Sequence, residues 1–185
     1  MDSEKAATQL GVQLLKDWVP YHGMDHLRNS IRQQEGFIGP SVLIDFVRYG
    51  SEMAVQILLE KGADVNSRGY EGNTALHIVA GFYRYVGLSP RARVATCNVG
   101  LVRLLLAKGA DIEAKRTKDG YTALMVAAQF GSDKVVRLLL EKGADITAKS
   151  FNGWTALKVA RYFKRKAATR LLQDQSASWY KRLTQ

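Results

Sequence analysis

The segment Thr122 to Ala148, TALMVAAQFGSDKVVRLLLEKGADITA, returns in looser form through most of the chain. Aligned on the Gly-Ala-Asp that follows each apolar run, Gly62, Gly109 and Gly143 are spaced by 47 and 34 residues. The helix-opening positions Ser41, Thr74, Thr122 and Thr155 are spaced by 33, 48 and 33. A period near 33, with one stretch lengthened by 14 residues, is the signature of a stacked repeat array. Such arrays bind partners far more often than they catalyse reactions.

Within a repeat, each residue type has a physical reason for its place. In the third unit, Thr122 offers its hydroxyl to an otherwise unpaired N–H at a helix start, and Ala123, Leu124, Val126, Ala127 and Ala128 follow. The alanines let neighbouring helices approach closely. Gly131 breaks this helix, and Val135, Val136, Leu138, Leu139 and Leu140 supply the apolar face of a second, antiparallel one. Gly143 closes it, because a glycine just past a helix takes the left-handed conformation at little steric cost. A polar connector follows and ends in Asn152-Gly153, a turn signal.

These residues resemble the ankyrin repeat family. The matching strings are Ser67-Arg68-Gly69-Tyr70-Glu71-Gly72-Asn73-Thr74-Ala75-Leu76-His77, Lys118-Asp119-Gly120-Tyr121-Thr122-Ala123-Leu124 and Asn152-Gly153-Trp154-Thr155-Ala156-Leu157, together with Glu60-Lys61-Gly62-Ala63-Asp64-Val65-Asn66 and its two counterparts. The resemblance covers residues 41–173, about four repeats near 41–73, 74–121, 122–154 and 155–173. It implies an all-α solenoid of antiparallel helix pairs joined by hairpin-like loops, in a slightly curved stack.

Departures from that pattern mark the unusual places. The usual helix-opening proline is replaced by Val42, Ala75, Ala123 and Ala156, which a helix tolerates. Asp45 and Phe46 replace small or apolar residues, so the first repeat is expected to be an edge or distorted unit. Lys164 occupies the family's mid-repeat glycine and Gln173 the last apolar position, as in a C-terminal cap with a polar outer face. Residues 1–38 lack a finger loop. Ser3 is placed to cap a helix carrying Leu10, Leu14, Leu15 and Trp18, and Leu27 and Ile31 share a second, short one. This pair reads as an N-terminal helical cap, the alternative being an independent partner-binding helix pair.

The 14 extra residues lie near 83–96, between the two helices of the second repeat, and read YRYVGLSPRARVAT. Insertions in repeat proteins form loops on one edge, often a functional one. Arg84, Arg91 and Arg93 can fork onto carboxylates or phosphates, with Tyr83 and Tyr85 beside them. A contact role is preferred over a neutral loop because insertion, positive charge and aromatics coincide.

Charge is strongly polarised along the chain. Residues 1–80 carry 7 Lys/Arg against 10 Asp/Glu, a net of −3, whereas residues 81–185 carry 20 against 7, a net of +13. Such a field points to an acidic protein surface, nucleic acid or an anionic membrane, unless the cations merely solubilise exposed helix faces. Cys97 is the only cysteine, which excludes an internal disulfide framework and a zinc-ligand cluster. No run approaches the ~18 apolar residues that span a bilayer, and MDSEKAATQLGVQLL does not read as a signal peptide. The expected setting is cytoplasmic, with a nuclear one possible.

Two sets of aromatics fall in register. Tyr49, Phe82, Phe130 and Phe163 occupy the position before each mid-repeat turn, as an edge ladder for a ligand or as stacking between neighbouring repeats. Tyr70, Tyr121 and Trp154 belong to the finger loops. In the family the fingers and inner helices resemble a palm that grips partners, so Tyr121 and Trp154 are expected to be exposed anchors, surrounded by Arg116, Lys118, Lys158 and Arg161.

Candidate chemistry is thin. His22 and His26 are four apart but lack a third metal ligand, and Cys97 has no spacing that marks a catalytic partner. His77 matches the family's helix-opening histidine, which the resemblance makes structural, bonding backbone near the loop. Leu58, Asp64, Val65 and Asn66 are similar to the family pattern in which a dioxygenase hydroxylates a loop asparagine, whereas Glu113 and Thr147 do not match it. No cofactor is expected. The expected function is non-enzymatic protein–protein recognition by a monomeric scaffold whose basic half meets an acidic partner. The alternative is nucleic-acid binding through Arg84, Arg91, Arg93, Lys164, Arg165, Lys166, Arg170, Lys181 and Arg182, with Trp179 and Tyr180 to stack bases in the tail, 174–185.

Overall fold

A computed structural model of the chain describes the backbone of residues 40–81 and 99–183, and the side chains there except those of residues 40, 41, 49 and 178–183. The N-terminal cap at 1–38 and the insertion at 83–96 lie outside the described residues. The described part is all helical, with no strand: α1 (Pro40–Tyr49), α2 (Glu52–Glu60), α3 (Ala75–Ala80), α4 (Val99–Ala107), α5 (Ala123–Phe130), α6 (Asp133–Glu141), α7 (Ala156–Tyr162) and α8 (Lys166–Leu183). A single 3-10 turn spans Tyr70–Gly72.

The helices pair as α1/α2, α3/α4, α5/α6 and α7/α8, and the pairs stack in two rows. One row runs α1, α3, α5, α7, and the other α2, α4, α6, α8. Small residues let the helices of the first row approach one another: Ala75, Ala80, Ala123, Ala127, Ala128, Ala156 and Ala160 are all shielded from solvent. Leu101, Leu105, Val135, Val136 and Leu139 fill the space between rows. Each such side chain contributes roughly 1.5–3 kcal/mol when fully buried.

The helix boundaries follow the threonine and glycine register. Thr122 Oγ1 accepts a long hydrogen bond from Met125 N–H at 3.5 Å, and Thr155 Oγ1 one from Lys158 N–H at 3.4 Å. Gly62, Gly109 and Gly143 lie two residues past their helices with φ of +87° to +89°. At the other end of the array Ser41 falls inside α1, which opens at Pro40. A proline suits a first helical position, since its φ is already helical and its missing N–H would have no partner there.

The finger loops repeat one hydrogen-bonded closure: Gly69 N–H to the Asn73 carbonyl at 2.9 Å, Arg116 to Tyr121 at 3.1 Å and Ser150 to Trp154 at 2.9 Å. Successive fingers are stitched together. Arg68 Nη1 donates to the Lys115 carbonyl at 2.7 Å, and Lys115 Nζ donates to the Lys149 carbonyl at 2.8 Å. Asn66 Oδ1 accepts from Asp111 N–H and Glu113 Oε1 from Asp145 N–H, both at 2.8 Å. Neighbouring repeats are thus fixed through loops as well as helices, so side chains on adjacent fingers hold a set spacing.

Of the two expectations for the first repeat, an edge unit or a distorted one, the distortion does not appear. Phe46 is fully buried, and α1 packs against α2 and α3 like its counterparts. The aromatic side chain fills the core here instead of distorting it. Asp45 lies 3.9 Å from Arg48 one turn on. At the other end, residues Arg161 to Ala167 are exposed as a run, and α8 continues unbroken through Gln173 to Leu183.

Candidate partner-binding face

Tyr121 and Trp154 occupy the same position of successive fingers, each immediately before a helix-capping threonine. Both are half-buried where sequence reasoning expects exposed anchors, because each packs against the hydrophobic core. The Tyr121 ring has the Arg116 guanidinium 5.0 Å from its centroid, and the Trp154 ring has Lys158 Nζ at the same distance. Attraction between a cation and a ring face is worth about 0.5–1 kcal/mol at exposed sites.

Of the four cations expected around these rings, two are already neutralised. Arg116 is buried, and its Nε and Nη2 donate to the two Asp119 carboxylate oxygens at 2.6 Å each. Burial alone raises the Asp119 pKa, but the Arg116 hydrogen bonds, the Tyr121 N–H and the guanidinium charge outweigh it and hold the carboxyl below its ordinary range. Lys118 Nζ donates to Glu71 Oε1 at 2.5 Å, which raises the lysine pKa. Lys158 and Arg161 are exposed and form no ion pair among the described residues.

The geometry adds a residue that the register comparison passes over. Tyr162 is 66% exposed, and its ring meets Trp154 edge-on at 5.0 Å between centroids and Phe163 at 5.1 Å. Lys158 and Tyr162 are four apart on α7, the interval that stacks side chains along one helix face, and Trp154 precedes that helix at the same interval. That spacing was the available signal. The Tyr121 phenol is raised first by burial and next by the Asp119 charge, with a smaller contribution from Tyr162.

The other register aromatics separate. Phe130 is half-buried, and an added Cβ at Gly81 of the preceding repeat would come within 3.2 Å of its ring, so it packs between repeats. Phe163 is exposed and joins the Trp154–Tyr162 stripe. Tyr49 and Phe82 lie outside the described side chains, as do Arg84, Arg91, Arg93, Lys181 and Arg182. Phe151, 66% exposed, covers the Gly120 turn of the preceding finger.

His77 is a brace within the fold. Its Nδ1 accepts from Thr74 N–H at 3.2 Å and lies 2.8 Å from the Thr74 hydroxyl, while Nε2 reaches the Tyr121 carbonyl at 2.9 Å. Desolvation lowers its pKa from 6.5 to about 4, so it is neutral near pH 7. Among the described residues no group of three or more His, Cys, Asp or Glu is placed to hold a metal ion. No helix there is long and apolar enough to cross a membrane.

Comparison with known proteins agrees with this architecture. A family model for ankyrin repeats in three copies matches residues 92–181, and one for ankyrin repeats in many copies matches residues 43–85. The chain is 37% identical over 146 residues to the Ankyrin repeat and SAM domain-containing protein 6 of Danio rerio, covering 74% of this chain and 20% of that protein. It is 38% identical over 80 residues to a putative ankyrin repeat protein of Rickettsia felis, covering 43% of this chain and 31% of that protein. It is 35% identical over 99 residues to the Notch-regulated ankyrin repeat-containing protein of Xenopus tropicalis, 51% of this chain and 74% of that one. The chain thus spans less than a third of the first two relatives. With helix pairs, finger closures and family matches in agreement, the chain belongs to the ankyrin repeat family, whose repeats serve as protein–protein interaction modules.

Proposed function

We propose that this chain is a non-enzymatic, monomeric scaffold of the cytoplasm or nucleus that binds an acidic protein partner on its last two repeats. One observation carries the reading: the exposed rings of Tyr162 and Phe163 and the half-buried Trp154 meet edge-on in one stripe, flanked by Lys158 and Arg161, cations with no acidic partner among the described residues. Aromatic rings backed by a rigid helix offer large contact area at low ordering cost, the character of interface anchors. Tyr121 extends the face to the preceding finger. Arg116 and Lys118 act through it indirectly, Arg116 by orienting the Tyr121 ring and Lys118 by tying its finger to Glu71. Phe130 supports the face from between repeats. Arg84, Arg91 and Arg93 would extend the contact along the insertion.

Positive potential from the basic half raises the association rate and orients the encounter, while the rings govern how long the complex lasts. Affinity capture from the native cell with the full chain and with a Trp154→Ala/Tyr162→Ala variant tests the reading. Acidic proteins retained by the first and lost by the second are the expected result. Retention of the same proteins by both would move the contact off this face.

Nucleic-acid binding is the second reading, supported by the exposed Lys164, Lys166 and Arg170 at one end of the array. It requires a mobility shift with RNA or DNA at low salt that weakens steeply as salt rises.

A further inference from the structure

We infer that the basic end of the last repeat receives a phosphorylated side chain of the partner; this rests on the partner-binding reading above and names the chemistry it selects. Arg161, Lys164, Lys166, Thr169, Arg170 and Gln173 line an open depression of about 330 Å³. Four of those six side chains are cations, and none is a carboxylate. No described acidic group forms an ion pair with any of the four, whereas Arg116 and Lys118 have theirs in Asp119 and Glu71.

Four like charges around one depression repel one another, and among the described residues no carboxylate pairs with any of them. A phosphate monoester carries a charge of about −1.5 to −2 and three acceptor oxygens, so it answers several cations at once where a carboxylate answers one or two. Arginines at two corners provide the forked donors that suit a phosphoryl group.

The site adjoins the aromatic stripe. Arg161 lines the depression while its neighbour Tyr162 joins Trp154 and Phe163, and Phe163 is followed directly by Lys164. One short peptide can therefore lay an apolar side chain on the rings and a phosphate among the cations. The cations also form a compact cluster and not a track. Arg165, in the middle of Lys164-Arg165-Lys166, turns away to donate from Nε to the Gln129 carbonyl at 2.9 Å, its stem lying over Gly131. This arrangement favours a single phosphorylated residue over a nucleic-acid strand.

The test uses the full chain on immobilised degenerate peptide libraries with acidic flanks, one fixed at phosphoserine and one at serine, with single-stranded RNA as a third probe. The phosphoserine library is expected to be retained about tenfold more tightly than the serine library. Lys164→Gln/Arg170→Gln should abolish the phosphoserine preference, bringing the ratio of phosphoserine to serine retention to about one, its fold checked by circular dichroism. Equal retention of the two libraries by the native chain, or a phosphoserine preference that survives in this variant, overturns the inference. So does RNA binding lost in the variant with no phosphoserine preference in the native chain. Trp154→Ala/Tyr162→Ala should weaken both libraries. If it weakens neither while the phosphoserine preference persists, the aromatic reading fails and the phosphate site stands.

Discussion

The imidazole of His77 in the second repeat and the backbone of Tyr121 in the third are joined by a 2.9 Å hydrogen bond from Nε2 to the carbonyl. That carbonyl also accepts the Arg116 N–H closing its finger, so the brace between repeats and the loop that presents Tyr121 converge on one oxygen. Because Nδ1 accepts from Thr74, the proton resides on Nε2, and one residue caps a helix and ties two repeats. His77→Gln should lower stability by about 2–3 kcal/mol, the cost of losing two buried hydrogen bonds.

The same residue predicts a pH dependence. Folding lowers its pKa from 6.5 to about 4, so between those values the unfolded chain binds a proton that the folded chain refuses. This contribution is complete above pH 6.5 and is lost as pH falls toward 4, amounting to about 3 kcal/mol at the low end. Urea denaturation at pH 7.5 and pH 5 should show a larger fall for the native chain than for His77→Gln. Equal falls would contradict the assignment.

Arg116 is predicted to act on stability. Its fork on Asp119 is largely shielded from water, and truncation leaves that carboxylate without its main donors. Arg116→Ala should cost about 1–3 kcal/mol. Asp119, held below its ordinary pKa, adds stability that is present above about pH 4 and lost as pH falls through its folded value. Thermal melts of Arg116→Ala and Asp119→Ala at pH 7 should both fall, and the double variant should fall by less than the sum.

Lys164 has φ of +57° at the turn where the preceding repeat has Gly131 at +71°. A left-handed conformation costs a residue with a Cβ roughly 1–2 kcal/mol, and glycine escapes it. Lys164→Gly is therefore expected to raise the unfolding free energy by about 0.5–1 kcal/mol, measured in urea, while removing one cation from the basic depression. A loss of stability would show that the lysine side chain contributes packing that the turn needs.

Much of the architecture was legible because it is periodic. Threonine caps, alanine-rich first helices and glycine stops recur at fixed register, and the structural role of His77 is what the family resemblance implies. The first repeat was harder: Phe46 occupies a position where the family has a smaller residue, and only the packed structure shows a core that accommodates it. The face proposed to bind a partner was less legible in its detail. Trp154 is half-buried and not the exposed anchor that the register suggests, and the pairing of Arg116 with Asp119 and of Lys118 with Glu71 depends on how loops fold back, which spacing along the chain does not encode. Tyr162 was missed because comparison between repeats highlights shared positions, and its importance comes from contacts made by this repeat alone.

The central claim, that the C-terminal aromatic face holds an acidic partner, is tested most directly by the dissociation rate of a captured partner. Biolayer interferometry on Trp154→Ala and Tyr162→Ala can be compared with Arg137→Ala, an exposed cation on α6 in the other row. The account predicts dissociation at least about tenfold faster for each aromatic variant, equivalent to roughly 1.4 kcal/mol, and little change for Arg137→Ala. Unchanged dissociation in both aromatic variants would contradict it.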